Sequence, residues 1–318
     1  MTSRPGNGSP DPAFDLSVQI GSIRLPNPIM TASGTAGHGS EFQPYVDLAS
    51  LGAHVVKSLA AYEWAGNPAP RVQPAGLGML NAVGLQGPGV TAWMRDDLPQ
   101  LVDLGARIVV SIWGRSVDEY RQAASLLANA PRQVIAVEVN LSCPNLEGRR
   151  GIFSHDAQLS ADVVAATESC GRPRWAKLSA NTDRVVEVAA AVQQAGAEAV
   201  TLINTLLGLV LDPSTGRPAL AAGGGGYSGR PIHPVAVRTV FDVHAALPAL
   251  PIIGVGGVSQ GWDAVELMLA GASAVQVGTA HFANPRASAT VLNELTAWCG
   301  GRRVSPSSIT GAAHRGGL

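Results

Sequence analysis

Cys143 stands in the run Asn140-Leu141-Ser142-Cys143-Pro144-Asn145, directly after the apolar stretch Val134 to Val139. A thiol of ordinary pKa, about 8.5, can serve near neutral pH as a nucleophile or as a base, and the sequence leaves both roles open. Its polar neighbours set it apart from Cys170 and Cys299, which fall near expected helix ends and read as small hydrophobes. Lys57 and Lys177 each close an apolar run. A buried ammonium is costly without a companion anion, so a bound anion is implied. The run that Lys57 closes ends on Lys57-Ser58, and other apolar runs end on Ser111, on Glu138-Val139-Asn140 and on Asn204-Thr205. One polar run end is an ordinary solvated loop residue, but several in one chain point to a site. Two further runs end in the glycine turns Gly256-Gly257 and Gly278-Thr279, where backbone amides can reach a phosphate with no side chain in the way.

These residues need strands to carry them. Gly-Ala follows an apolar helical stretch and precedes an apolar run at positions 52, 105, 196 and 271, which reads as a repeated helix end and strand start. With the further runs Pro28-Ile29-Met30, Val134 to Val139, Trp175-Ala176-Lys177-Leu178 and Pro251 to Val255 these make eight short apolar runs, the form expected of parallel strands buried on both faces. Ser40, Ser116, Ser160, Thr182 and Ser259 are candidate helix N-caps. The alternation predicts an α/β fold, a (β/α)8 TIM barrel with long βα loops over the catalytic face; an open doubly wound sheet would alternate in the same way. Leu16, Val18 and Ile20, then Gly21-Ser22, then Ile23 and Leu25 predict an N-terminal β-hairpin that closes the barrel floor. The connections from Leu59 to Met79 and from Leu206 to Pro231, the second with its glycine run at 223–226, are long enough to build a site. The expected organisation is a flexible N-terminal tail over 1–14, one barrel domain over 15–300 and a C-terminal segment over 301–318.

Composition narrows the function. In 318 residues, 46% are hydrophobic and 14% charged, which provides for a large core. With 22 basic against 23 acidic side chains and no polybasic run, nothing draws the chain to nucleic acid or to an anionic membrane. The three cysteines have no metal-ligand spacing and suit a reducing, cytoplasmic setting, and the polar N-terminus has no apolar segment that could span a bilayer. A small polar substrate is the remaining class.

The chain resembles the class 1 dihydroorotate dehydrogenases, in the form that works with a separate electron-transfer subunit. The likeness runs from Asn27 to about Pro285. It rests on Thr31-Ala32-Ser33-Gly34-Thr35, Asn81-Ala82-Val83-Gly84-Leu85-Gln86, the Asn140 to Asn145 run, Ile203-Asn204-Thr205 and Val277-Gly278-Thr279. The resemblance implies FMN held by Ala32, Ser33, Lys57, Ser58, Asn140, Lys177, Ile203, Gly229, Gly256, Gly257, Gly278 and Thr279. It implies dihydroorotate held by Lys57, Asn81, Gly84, Leu85, Asn140, Asn145, Asn204 and Thr205. Carboxamides suit a pyrimidine because they both donate and accept. By the same resemblance Cys143 is the base, hydride passes to the flavin, and Lys177 stabilises the reduced flavin.

Two positions depart from the family pattern. Ser111 stands where an asparagine usually bonds the flavin, and the bulky Trp113 stands where a small residue is usual. Serine is shorter and reaches a ring only through water or a shifted backbone. Rival readings are an FMN enzyme for a carboxylate-free dihydropyrimidine and a flavin-free phosphate-binding isomerase or lyase. The resemblance also implies a homodimer or heterotetramer with a partner subunit that carries FAD and an iron–sulfur cluster and reduces NAD. This chain shows no dinucleotide fingerprint of its own, and fumarate is an alternative acceptor.

Overall fold

Eight short runs, apolar on both faces, become the barrel strands: β1 Ile29–Thr31, β2 His54–Val55, β3 Ile108–Ile112, β4 Val134–Asn140, β5 Arg174–Lys177, β6 Ala199–Leu202, β7 Ile252–Val255 and β8 Ala274–Val277. The computed structural model describes residues 15–142, 144–145 and 151–318. The strands are parallel and ordered β1-β8-β7-β6-β5-β4-β3-β2. A bridge between Met30 and Ala53 joins the first strand to the last, with the Gly52 amide donating to Ile29 O at 2.8 Å. The sheet therefore closes into the expected barrel, and the open-sheet alternative is excluded. A side chain at Gly52 would collide with the Asn27 carbonyl, so glycine permits this closure.

Helices cover the outside, among them Val117–Leu126, Ala157–Ala166, Val185–Gln194, His233–Ala246 and Gly261–Ala270. Ser116 caps its helix as expected, accepting from the Glu119 amide. The other expected caps are displaced. Asp156 caps the fourth-strand helix, because its carboxylate accepts from the Leu159 amide, and Ser160 lies inside that helix with its hydroxyl on Phe153 O. Thr182 and Ser259 stand just ahead of the cap positions Arg184 and Gln260. Ser40 begins no helix: the stretch between β1 and β2 is turns and the short 3₁₀ segment Leu48–Ser50. None of the described helices is long and apolar enough to cross a membrane.

The hairpin forms as expected, Val18–Ile20 against Ile23–Leu25, with Gly21 in the left-handed region at φ +55°. It sits at the N-terminal ends of the strands, where the Ser22 amide donates to Glu198 Oε2 at 2.7 Å just before β6. The two long connections meet over the opposite end. They build a four-stranded antiparallel sheet in the order Leu206–Gly208, Gly225–Gly229, Gly78–Asn81, Val72–Ala75. Residues 224–229 spell Gly-x-Gly-x-x-Gly, but they belong to this antiparallel sheet and not to a turn that opens a helix within a βαβ unit.

His54, fully buried in β2, has Nδ1 3.2 Å from Thr31 Oγ1 and no partner for Nε2. Burial pushes its pKa down to about 4. The unfolded chain binds this proton near pH 6.5, so the stability from a neutral His54 is present above pH 6.5 and lost as pH falls towards 4. The expected loss is roughly 3 kcal/mol, read as a drop in urea unfolding free energy between pH 7 and pH 4 that His54→Phe flattens. An equally steep acid loss in His54→Phe would refute this assignment.

Candidate active site

The ends of seven barrel strands, all but β3, and the antiparallel sheet enclose one cavity of about 560 Å³, within the usual range for small-molecule sites. Ala32 and Ser33 follow β1, Lys57 and Ser58 follow β2, Asn140 and Lys177 close β4 and β5, and Ile203, Asn204 and Thr205 follow β6. Gly256-Gly257 follow β7 and Gly278-Thr279 follow β8; Gly229, Asn81, Gly84 and Leu85 come down from the sheet side. All of these line the same cavity. Ser111 does not. It is fully buried one hydrogen bond behind the wall, with Oγ 2.8 Å from Ser58 Oγ. Cys143 lies outside the described residues. For Asn145 only the backbone is described, paired with Gly151 in a two-residue ladder.

The chain has two lysines against twenty arginines, and both lysines line this cavity. Lys177 is buried, with Nζ 3.4 Å from Glu138 Oε1 and 3.4 Å from Gln276 Oε1. Glu138 Oε2 in turn accepts from Gln276 Nε2 at 2.7 Å and Thr201 Oγ1 at 3.0 Å. Four strands thus contribute to one polar knot inside the barrel. Lys57 differs: it makes no ion pair with the described residues. Burial, with Arg71 as a second cause, lowers its pKa below the ordinary lysine value. A half-buried cation with no counter-charge suits an anionic ligand.

A belt of side chains runs round the strand ends. Ser58 Oγ lies 3.2 Å from Ser33 Oγ and accepts from Asn140 Nδ2 at 3.3 Å. Asn140 Oδ1 accepts from the Ser142 amide at 3.2 Å and from Asn204 Nδ2 at 3.3 Å, and Asn204 Oδ1 accepts from the Thr205 amide at 2.8 Å. Backbone amides only donate, so they fix which end of each carboxamide is oxygen. Tyr120 OH supports the belt from below, donating to the Asn140 carbonyl at 2.5 Å.

At the glycine end, Gly256 and Gly257 have φ of +138° and +70°, and a Cβ on Gly257 would stand 2.6 Å from His233 Cβ. His233 bridges this turn to the outer helix, with Nδ1 2.8 Å from Gly256 O and Nε2 3.1 Å from Glu266 Oε2. The Gly257, Gly278 and Thr279 amides make no hydrogen bond within the described residues and are free for an oxyanion. Ser142 Oγ is buried on the cavity wall without a partner among the described residues. Leu85 holds φ +60°, a conformation that non-glycine residues adopt at a cost, in the turn lining the cavity.

Sequence reasoning missed several wall residues. Ser179 and Asn181 line the cavity just past β5, and Asn181 ties that strand end to the sheet, donating to Thr205 O at 3.0 Å and accepting from the Leu207 amide at 2.9 Å. Their signal was present: Ser179 and Asn181 stand within four residues of the Lys177 that closes the fifth run. The scarcity of lysine was a second signal available from composition.

A family model described as dihydroorotate dehydrogenase matches residues 15–298. The chain belongs to the dihydroorotate dehydrogenase family. It is 44% identical over 299 residues to a protein of Trichlorobacter lovleyi named dihydroorotate dehydrogenase B (NAD(+)), catalytic subunit, covering 93% of this chain and 98% of that one. Proteins of the same name from Geotalea daltonii and Desulforudis audaxviator are 46% and 45% identical. The first alignment covers 87% of this chain and 90% of the relative, the second 95% and 98%. Relatives of the dihydroorotate dehydrogenase family thus match nearly end to end, which includes every strand that supplies the cavity.

Proposed function

We propose that the chain oxidises dihydroorotate to orotate, a step of pyrimidine biosynthesis, with FMN bound in the barrel cavity. The observation that carries this reading is Lys57, a half-buried cation with no ion-pair partner among the described residues, in a wall whose polar groups include Asn81, Asn140, Asn204, Ser33 and Ser58. A carboxylate on a pyrimidine ring answers that combination. The carboxylate-free rival leaves Lys57 without a counter-charge, and the flavin-free rival is disfavoured by membership in the family.

The wall also suits FMN. The unspent amides of Gly257, Gly278 and Thr279 would take its phosphate, and Ser142 Oγ is a buried group in want of a partner. FMN would supply the acceptor for the hydride that leaves the substrate. Cys143 removes the proton from the ring carbon beside the ring carbonyl, and a ring double bond forms as hydride departs from the neighbouring carbon. Asn81, Asn140, Asn145, Asn204 and Thr205 orient the pyrimidine. Lys177, anchored by Glu138, keeps a positive charge where reduction of the cofactor leaves a negative one.

The relatives are named as catalytic subunits of an NAD(+)-linked enzyme. On that basis we assign electron output to a partner subunit carrying FAD and an iron–sulfur cluster, in a heterotetramer built on a homodimer. The free buried thiols Cys170 and Cys299 suit a cytoplasmic setting. The test is anaerobic mixing of the purified yellow protein with substrate. Dihydroorotate should bleach the flavin absorbance, at roughly 450 nm, while dihydrouracil leaves it. Bleaching by dihydrouracil alone, or a colourless protein, would overturn the reading.

A further inference from the structure

The turn that brings Gly84 and Leu85 to the cavity is gripped from behind by the strap over residues 64–71. Three successive carbonyls are held there. Asn67 Nδ2 donates to Ala82 O at 2.9 Å, the Asn67 amide donates to Val83 O at 3.0 Å, and Trp64 Nε1 donates to Gly84 O at 2.9 Å. Gly87 and Trp64 exchange two backbone hydrogen bonds at the end of the same turn, each 2.9 Å. Approach is close enough to require glycine on both sides. A Cβ on Gly66 would collide with Val83 O, and one on Gly84 would stand 2.6 Å from Asn67 Cγ.

In a trans peptide the carbonyl of one residue and the amide of the next point opposite ways. With the carbonyls of 82, 83 and 84 all drawn into the strap, the amides of Val83, Gly84 and Leu85 turn away from it. These three residues line the cavity, and their amides donate to nothing among the described residues. Lys57 lines the same cavity. A row of free donors and a cation with no ion-pair partner among the described residues thus line one cavity.

We infer that Trp64 is a positioning residue for carboxylate recognition: its indole N–H, by holding the Gly84 carbonyl, aims the Leu85 amide at the substrate carboxylate. This rests on the dihydroorotate reading above. Trp64 is itself held. The Arg115 guanidinium stands 5.0 Å over its ring, Trp113 packs edge-on at 6.1 Å, and Glu119 fixes Arg115 through a 2.8 Å ion pair. Trp113, the bulky departure noted in the sequence, thereby acquires a purpose as the wall behind Trp64. Leu85 at φ +60° would relax if the grip were lost, and the amide would swing off the ligand.

The experiment compares orotate with uracil, which lacks the carboxylate, by titrating each into the FMN-loaded protein and reading the flavin spectrum. Trp64→Phe keeps the ring and removes the donor. It should weaken orotate binding about 3- to 10-fold, the worth of one hydrogen bond, and leave uracil binding unchanged. Arg115→Met leaves the indole N–H in place and loosens its support, so it should shift orotate in the same direction by less. Equal weakening of both ligands in Trp64→Phe would assign the residue a general structural role and overturn the proposal, as would unchanged orotate affinity. If Trp64→Phe does not hold FMN, Arg115→Met decides: a loss confined to orotate supports the proposal, and any other result overturns it. Failure of the wild-type protein to prefer orotate over uracil would instead sink the substrate assignment.

Discussion

Cys143→Ala should slow the reduction of the flavin by dihydroorotate by about 10²- to 10⁴-fold at pH 7, the usual worth of a positioned general base. Stopped-flow absorbance under anaerobic conditions reads this step apart from reoxidation. Orotate affinity should stay close to wild type, because the donors that hold the ring and the carboxylate come from Lys57, the asparagine belt and the gripped turn. That split separates loss of a base from loss of a binding group. Cys143→Ser should regain part of the rate as pH is raised, since a hydroxyl holds its proton far more tightly than a thiol. Near-wild-type reduction by Cys143→Ala at neutral pH would show that another group takes the proton.

The second large effect is on stability. Glu138→Leu leaves the Lys177 ammonium inside the barrel without its carboxylate and deprives Thr201 Oγ1 and Gln276 Nε2 of their acceptor. Breaking a buried pair from one side costs about 3–5 kcal/mol, which for a chain of this size corresponds to a fall in Tm of about 5–7 °C. Adding Lys177→Met should recover much of the loss, because the uncompensated charge is then gone, while substrate oxidation is lost with the ammonium. A single Glu138→Leu variant as stable as wild type would mean that the two charges are not energetically coupled. A double variant no better than the single one would place the cost in packing instead.

Much of the architecture was legible because strands buried on both faces advertise themselves as short apolar runs, and polar residues at the ends of such runs have few structural reasons to be there. Lys57, Asn140, Lys177 and Asn204 could be found in this way. What could not be found is pairing. Glu138 was visible as an acid within an apolar run, but nothing in the order of residues says that Thr201 and Gln276, on two other strands, share its oxygens. The sheet over the mouth was equally hidden, because residues 72–81 meet 206–229 only through the barrel that lies between them in sequence. Trp64 carried no signal at all. Its one informative contact is to a carbonyl twenty positions away, and any residue type can supply a carbonyl. Displaced caps such as Asp156 for Ser160 had a more local cause: the helix starts four residues earlier, where the Asp156 carboxylate accepts from the Leu159 amide.

The near absence of lysine gives the protein an unusual chemical address. Its basic surface is carried by arginine, and the two side-chain primary amines both stand on the cavity wall, one tied to a carboxylate and one without an ion-pair partner among the described residues. Reagents that modify amines, which on most proteins scatter over dozens of exposed lysines, have here only the chain terminus and the cavity to react with. Protection of Lys57 from such a reagent becomes a direct occupancy gauge for the carboxylate end of the site.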